Sequence, residues 1–215
     1  GLGDVYKRQE KHDIAKSKRI LIIWEPHIVD NVRYRKSTLD QYGVIYAPSP
    51  LWAKKVSGIK FNWPQDPISD SSIFDSWKYR KEFGVIIQGN KFSAARGELY
   101  SLRRKVLVDP NIEVDLYGTN WNKGFNFDWF HWSSSAINTS VRNLSFDSIY
   151  GVGRRYTNYK GECIDKGSTL QKYKISIVIE NSADFVSEKL FDSIRNGCVT
   201  IYVGPDLREF GIESK

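Results

Sequence analysis

The stretch from residue 172 to residue 205 constrains the fold more than any other part of the chain. It opens on the largely apolar run Ile175-Ser176-Ile177-Val178-Ile179, which lacks a clean in–out alternation. That pattern suits a strand covered on both faces. Ser187 then offers a helix cap, Leu190 and Ile194 lie four residues apart on one helical face, and Gly197 ends the helix. A second strand follows over residues 198–203. Strand, helix and strand at this spacing make a unit of parallel sheet. The same alternation begins upstream. Residues 83–88 read as a buried strand, and residues 93–108 as a helix capped by Ser93 with Leu99, Leu102 and Val106 on one face. Residues 112–117 read as a strand ended by Gly118. The expectation from residue 83 onward is a doubly wound α/β domain with helices on both faces of a parallel sheet.

The earlier part of the chain is shorter. Residues 19–24 and 43–46 read as strands, with a short helix over 38–42. Pro48, Pro50, Pro64 and Pro67 break up the chain beyond the second of these strands, and residues 64–76 have the Ser, Asp and Pro content of a loop or linker. The domain expectation is therefore residues 10–76 as the end of one domain and its linker, and residues 77–215 as a second domain. Residues 1–9 resemble translated sequencing-adapter DNA of the transposase type and are set aside as a scar. No methionine occurs, and the chain stops at Lys215 just after a strand and turn. Both ends are expected to be those of an internal fragment, truncated at the C-terminus.

Composition removes several classes of function. Seven Trp and twelve Tyr among 215 residues argue against disorder. No apolar run is long enough to span a bilayer, which leaves peripheral contact as the remaining membrane possibility. The net charge of +7 fits solvated lysine better than nucleic acid, because no nucleic-acid module is present. Cys163 and Cys198 are too few for a disulfide framework and lack metal spacing. His12, His27 and His131 have no ligand partner at helical spacing, and no Asp-x-Asp pair is present to hold a divalent cation on a diphosphate. No metal site is expected. Nor is there a Gly-x-Gly-x-x-Gly or Walker loop. The aromatic residues Trp121, Phe125, Phe127, Trp129, Phe130 and Trp132 read as core or a loop plug, with stacking on sugar rings as the alternative.

One placement in the 172–205 stretch is unfavourable by itself. Lys189 falls in the first turn of its helix, where a cation opposes the helix dipole by roughly 0.3–1 kcal/mol. Either it pairs with a nearby carboxylate, or it and the helix N–H groups converge on an anion such as a phosphate. The neighbouring Glu188 suits ribose hydroxyls, so the two together fit a nucleotide diphosphate. Arg96, expected in the first turn of the helix from Ser93, offers a second cation after a strand, and a guanidinium can hold phosphate bidentately.

The ordered run Tyr173 to Ser182, then Asp184-Phe185-Val186-Ser187-Glu188-Lys189-Leu190, then Asn196 to Pro205 resembles the α-1,3-fucosyltransferase family. That family carries Glu-Asn-Ser, then Asp-Tyr-Val/Ile-Thr-Glu-Lys, then a strand ending in Gly-Pro or Gly-Ser. Tyr159-Lys160-Gly161, Asp165-Lys166, Asn90 with Arg96 and Tyr100, Asp115 to Gly118, and Trp24-Glu25-Pro26 extend the resemblance over most of the chain after residue 9. Phe185 stands where the family has Tyr, Ser187 replaces Thr, and the loop from Ser182 to Phe185 is short.

The resemblance implies a GT-B arrangement: a Rossmann-like donor domain with a parallel sheet, plus the tail of a second Rossmann-like acceptor domain. It implies an inverting transfer of fucose from GDP-fucose to a glycan hydroxyl, with no essential cofactor beyond that donor. Arg96 and Lys189 are implied to hold the diphosphate and Glu188 the ribose. Asn181, Phe185 and Ser187 are implied to line the donor site, and Glu25 to be the general base on the acceptor hydroxyl, with a plain strand-end carboxylate as its alternative reading. A base there must reach that proton opposite the departing diphosphate. The partners implied are a sugar nucleotide and a glycan acceptor. A transferase using another sugar nucleotide, and a non-catalytic glycan- or protein-binding module on the same scaffold, are the alternatives. Acceptor, linkage, compartment and oligomeric state are left open.

Overall fold

A computed structural model of the protein describes residues 14–62, 64–65, 72–121 and 158–212. The chain divides into two compact units, residues 1–61 and 62–215.

The first unit is built on a parallel sheet of three short strands in the order β1-β2-β3: β1 (Ile20–Ile22), β2 (Val44–Ala47) and β3 (Ile59–Lys60). Ile20 lies opposite Val44, and Tyr46 opposite Ile59. Helix α1 (Lys36–Leu39) joins β1 to β2, and α2 (Pro50–Lys55) joins β2 to β3. The expectation that Pro48 and Pro50 only break the chain is corrected here. Pro50 opens α2, where its missing N–H costs nothing, and Ser49 caps the helix by accepting from the Trp52 N–H at 3.2 Å. The short helix expected over 38–42 is present but starts two positions earlier, at Lys36.

Among the described residues the second unit carries a four-stranded, all-parallel sheet in the order β5-β4-β6-β7. The strands are β4 (Glu82–Ile87), β5 (Asp115–Tyr117), β6 (Tyr173–Ile179) and β7 (Val199–Val203). Among the described residues α3 (Ser72–Asp75) precedes β4, α4 (Tyr100–Val108) links β4 to β5, α5 (Lys166–Leu170) precedes β6, and α6 (Glu188–Arg195) links β6 to β7. Part of the stretch expected as linker is therefore helical. Successive residues of β4 feed opposite cores, as the pleat requires. Ile86 packs with Leu107, Val114, Leu116 and Trp121, and Val85 packs with Leu170, Tyr173 and Cys198. Both faces of β4 are thus covered, α4 contributing Leu107 to one core and α5 contributing Leu170 to the other. The expected class, α/β with a Rossmann-like parallel sheet in the larger unit and a second parallel sheet before it, is the observed one.

Arg80 ties the back of this sheet together. Its guanidinium is buried and donates to the carbonyls of Tyr173 at 2.8 Å, Asn196 at 2.7 Å, Ile73 at 3.2 Å and Leu170 at 3.4 Å. Two of these lie at the C-terminal ends of α5 and α6, where carbonyls lack an intrahelical partner.

Candidate functional site

In an open parallel sheet the ligand crevice lies beyond the carboxyl ends of the strands, where the chain leaves neighbouring strands in opposite directions. Here that point is between β4 and β6. From β4 the chain crosses to β5 on one side, and from β6 it continues to β7 on the other. The two loops that leave these strands are bonded to each other. Glu98 and Ser182 form an antiparallel bridge, the Leu99 N–H donates to the Asn181 carbonyl at 3.0 Å, and the Ala183 N–H donates to the Gly97 carbonyl at 2.8 Å.

This pairing corrects the expected start of α4. The helix begins at Tyr100, not at Ser93. Gly97 has φ +86°, and residues 97–99 use their main-chain groups on the loop after β6, so they cannot continue a helical ladder upstream. Ser93 accepts locally from the Ala95 N–H at 3.2 Å. Arg96 therefore sits in a loop with an exposed side chain, not in a helical first turn, and makes no hydrogen bond or ion pair among the described residues. The buried face of α4 is also different from the expected one. It is Tyr100, Arg103, Arg104 and Leu107, one position on from Leu99, Leu102 and Val106.

Arg103, unforeseen from the sequence, is the main clamp on this edge. It is 2% exposed and donates through Nε and one terminal nitrogen to the Ile179 carbonyl, at 3.2 and 2.7 Å, and to the Asn181 Oδ1 at 2.8 Å. Its guanidinium also lies 4.8 Å from the Tyr100 ring centroid. Burial presses its pKa down to about 10 against the supporting charges of Tyr100 and Glu180. The Asn181 side-chain oxygen is thus engaged from below.

After β6 the chain turns into α6, and here the sequence-nominated residues come together. Ser187 caps α6, accepting from the Lys189 N–H at 3.4 Å. Its Oγ also accepts from the Lys189 Nζ at 3.1 Å. Ser187 in turn donates its N–H to Glu180 Oε1 at 2.9 Å and its hydroxyl to Glu180 Oε2 at 2.6 Å. Glu180 is fully buried, and burial pushes its carboxyl above the usual range, with Lys189 as the leading opposing influence. The Tyr202 phenol is also pushed up, by burial and by the Glu180 charge. Phe185 is buried. Glu188 is half-exposed, 3.5 Å from the Lys189 Nζ and 3.8 Å from the Lys166 Nζ. Partial burial works against its charge, but Lys189, its own N–H and Lys166 hold its pKa below the usual carboxylate value. Lys166 is anchored more firmly on Asp192, at 2.8 Å.

Inside α6 the buried residues are Leu190 and Ser193, and Ile194 is exposed. The expected pairing of Leu190 with Ile194 on the inner face therefore holds only for Leu190. The Ser193 hydroxyl faces the Thr200 hydroxyl on β7 at 2.6 Å, which is how a polar residue occupies that face.

Glu25 lies in the first unit, directly after the strand end where the Ile23 N–H still pairs with the Tyr46 carbonyl. Its side chain is exposed and its carbonyl accepts the Tyr34 hydroxyl at 2.8 Å. His27 is structural: its Nδ1 accepts from the Trp52 indole at 3.2 Å, and the Tyr34 ring stacks edge-on against Trp52 at 4.5 Å. Trp121 is core, with its indole N–H donating to the Gln88 carbonyl at 2.5 Å. Phe125, Phe127, Trp129, Phe130, Trp132, His12 and His131 lie outside the described residues. Among the described residues no group of three or more His, Cys, Asp and Glu side chains could hold a metal ion, and no helix is long and apolar enough to cross a membrane.

No protein-family model matches the sequence. A fucosyltransferase-like protein of Arabidopsis thaliana is 39% identical over 71 residues, which is 32% of this chain and 13% of that protein. A crystal structure of Anabaena HepE in complex with UDP and glucose is similar in fold at a TM-score of 0.49 and 10% identity, over 91% of this chain and 55% of that one.

Proposed function

We propose that the chain is part of a sugar-nucleotide-dependent glycosyltransferase, and more narrowly that it transfers fucose from GDP-fucose to a glycan hydroxyl with inversion. The observation that carries this reading is the junction at the β4–β6 switch point. Two main-chain-bonded loops meet there, one carrying Arg96 and the other Asn181, and the second leads into α6, whose first turn holds Glu188 and Lys189. The 39% identity over 71 residues to a fucosyltransferase-like protein supports the choice of transfer chemistry and of fucose.

In this reading the diphosphate lies against the α6 N-terminus, with the Lys189 ammonium and the exposed Arg96 guanidinium on its oxygens. Charge builds on those oxygens as the sugar departs, and preorganised cations and N–H groups stabilise it at that moment. Glu188, held ionised by its neighbours, accepts from ribose hydroxyls. Asn181 has its oxygen committed to Arg103, which leaves its amide N–H groups to face the donor. Phe185 and Ser187 act from beneath, as the floor and the cap. Glu25, on the first unit, takes the acceptor proton. The chemistry needs no metal, because the cations of the site do the work a divalent ion does elsewhere.

The test is GDP binding to the protein by calorimetry, alongside Arg96→Ala and Lys189→Ala. Each substitution is expected to weaken binding by about tenfold or more, the range of a charge-assisted contact to phosphate. Unchanged affinity in both variants sinks the diphosphate assignment. A donor screen then tests the sugar: turnover with a different sugar nucleotide keeps the transferase and removes fucose.

A further inference from the structure

Glu180 has no exposed surface, and the proposed chemistry gives it no role. Its N–H continues the β6–β7 ladder by donating to the Val203 carbonyl at 2.9 Å. Its carboxylate takes both donors of Ser187, at 2.9 and 2.6 Å, and the same Ser187 oxygen receives the Lys189 ammonium at 3.1 Å. The result is a hydrogen-bonded chain from a sealed acid, through the helix cap, to the cation at the helix mouth. Among the described residues, charged and titratable groups face Glu180 from three elements. From α6 they are Lys189 and Glu188, from β7 the Tyr202 phenol, and from α4 Arg103. The end of β7 closes over the group: a Cβ placed on Gly204 would come within 2.9 Å of the Glu180 Cγ and run into the Tyr202 hydroxyl.

A carboxylate in such a place is costly unless hydrogen bonds and opposite charge compensate it. Ser187 supplies the bonds and Lys189 the principal charge. The ammonium that compensates Glu180 is therefore the one nominated to hold a diphosphate.

We propose that Glu180 is the positioning residue of this site: it fixes Ser187 and, through it, the Lys189 ammonium at the α6 N-terminus, and its negative charge limits how tightly that ammonium holds an anion. The inference rests on the reading that Lys189 contacts a diphosphate. The two halves of the role act in opposite directions. The hydrogen bonds of Glu180 favour binding by holding the site in shape. Its charge opposes binding by competing for Lys189. A residue with a purely structural role has only the first effect.

The experiment measures GDP affinity by calorimetry for the wild type, Glu180→Gln and Glu180→Ala, from about pH 4, near the ordinary glutamate value, up to about pH 8.5. Glu180→Gln keeps the volume and can still bond Ser187, but removes the charge. It is expected to bind GDP more tightly than the wild type by about tenfold at the alkaline end, the size of one like charge removed near a site of moderate dielectric. Burial raises the Glu180 pKa, so the wild type gains a proton there as the pH falls and becomes equivalent to the variant. The ratio of the two affinities therefore shrinks toward one at low pH. Subtracting one protein from the other cancels the titration of GDP itself. Glu180→Ala loses the anchors and binds more weakly; if it does not fold, Glu180→Gln alone decides. A ratio that stays at one, or that does not change with pH, overturns the inference while leaving the diphosphate site intact. No GDP binding by the wild type removes the site, and the inference with it.

Discussion

Arg103→Ala probes the junction between α4 and the loop after β6 most directly. The guanidinium makes three donations, two to the Ile179 carbonyl and one to Asn181 Oδ1. Each charge-assisted bond is worth about 1.5–3 kcal/mol, but burial takes back a large part, as the pKa pressed down to about 10 indicates. Removing the side chain also strands two acceptors, at about 1–3 kcal/mol for each. The balance is a loss of about 3–5 kcal/mol, and with a urea slope of about 2 kcal/mol per molar the unfolding midpoint falls by about 2 M. Arg103→Met fills the space and removes the desolvation cost, so its loss is smaller, about 1–3 kcal/mol. A double-mutant cycle with Asn181→Ala isolates the bond to Oδ1 and is expected to give about 1–2 kcal/mol of coupling. Urea unfolding followed by tryptophan fluorescence provides the assay. A midpoint shift in Arg103→Ala below about 0.3 M, or zero coupling in the cycle, refutes the clamp.

Two glycines with positive φ should respond differently to the same change. Gly118→Ala drives a Cβ into the Gln88 carbonyl oxygen at φ +142° and is expected to cost about 3 kcal/mol or more, whereas at Gly97, with φ +86° and open space around it, alanine costs about 1 kcal/mol; thermal unfolding distinguishes them. Tyr173→Phe removes the 2.6 Å bond to Asp115 Oδ2 and is expected to lower stability by about 1–2 kcal/mol, read from the same urea curves. Of the two thiols, Cys163 is partly exposed and should react with a thiol reagent in the native protein. Cys198 is buried, with its pKa pushed up by burial, and should react only on unfolding.

The strands of the second unit are legible because each is a short apolar run between turn residues; β4 is covered on both faces, whereas Val199 and Ile201 of β7 are exposed. The observed β4, β6 and β7 each fall within a residue or two of the expected bounds. Helix α6 is legible for another reason: its cap and its terminating glycine are both local signals, and Gly197 does adopt φ +72°. Helix α4 is misplaced by local reasoning because its start is set by a partner far away in sequence. The bonds from 97–99 to 181–183 have no local signature, and Ser93 offers a cap that the chain does not use. The same error hides Arg103, since arginine is assigned outward unless its acceptors are known. With the helix started at Tyr100, the spacing 100, 103, 104 and 107 shows the inner face directly. Glu180 belongs to the motif that carries the family resemblance, yet its role is invisible there. A strand-end acid is ordinarily solvated, and only the closure by β7 seals this one.

Lys189 has a partial explanation that involves no ligand, and this separates it from Arg96. A cation in the first turn of α6 opposes the helix dipole by roughly 0.3–1 kcal/mol. Glu180 beneath the cap supplies the compensating charge, so Lys189 contributes to the fold as well as to any anion site. Its side chain is only 18% exposed. Arg96 has no such second role, being exposed and making no bond or ion pair among the described residues. The two alanine variants should therefore differ in stability even if they lose GDP affinity alike. Arg96→Ala is expected to leave the unfolding free energy within about 0.5 kcal/mol of the wild type at any pH. Lys189→Ala leaves a buried carboxylate without its main counter-charge, for a loss of about 1–3 kcal/mol near neutral pH. The Glu180 pKa is raised in the folded protein, so the penalty for its charge sets in as the pH rises through that pKa and is absent below the unfolded value. The loss in Lys189→Ala must then fade on acidification and grow toward alkaline pH. Urea midpoints measured across the same pH range check this. A loss in Lys189→Ala that is independent of pH breaks the link between Lys189 and Glu180. A comparable loss in Arg96→Ala shows that the loop before α4 is held by a contact of that guanidinium.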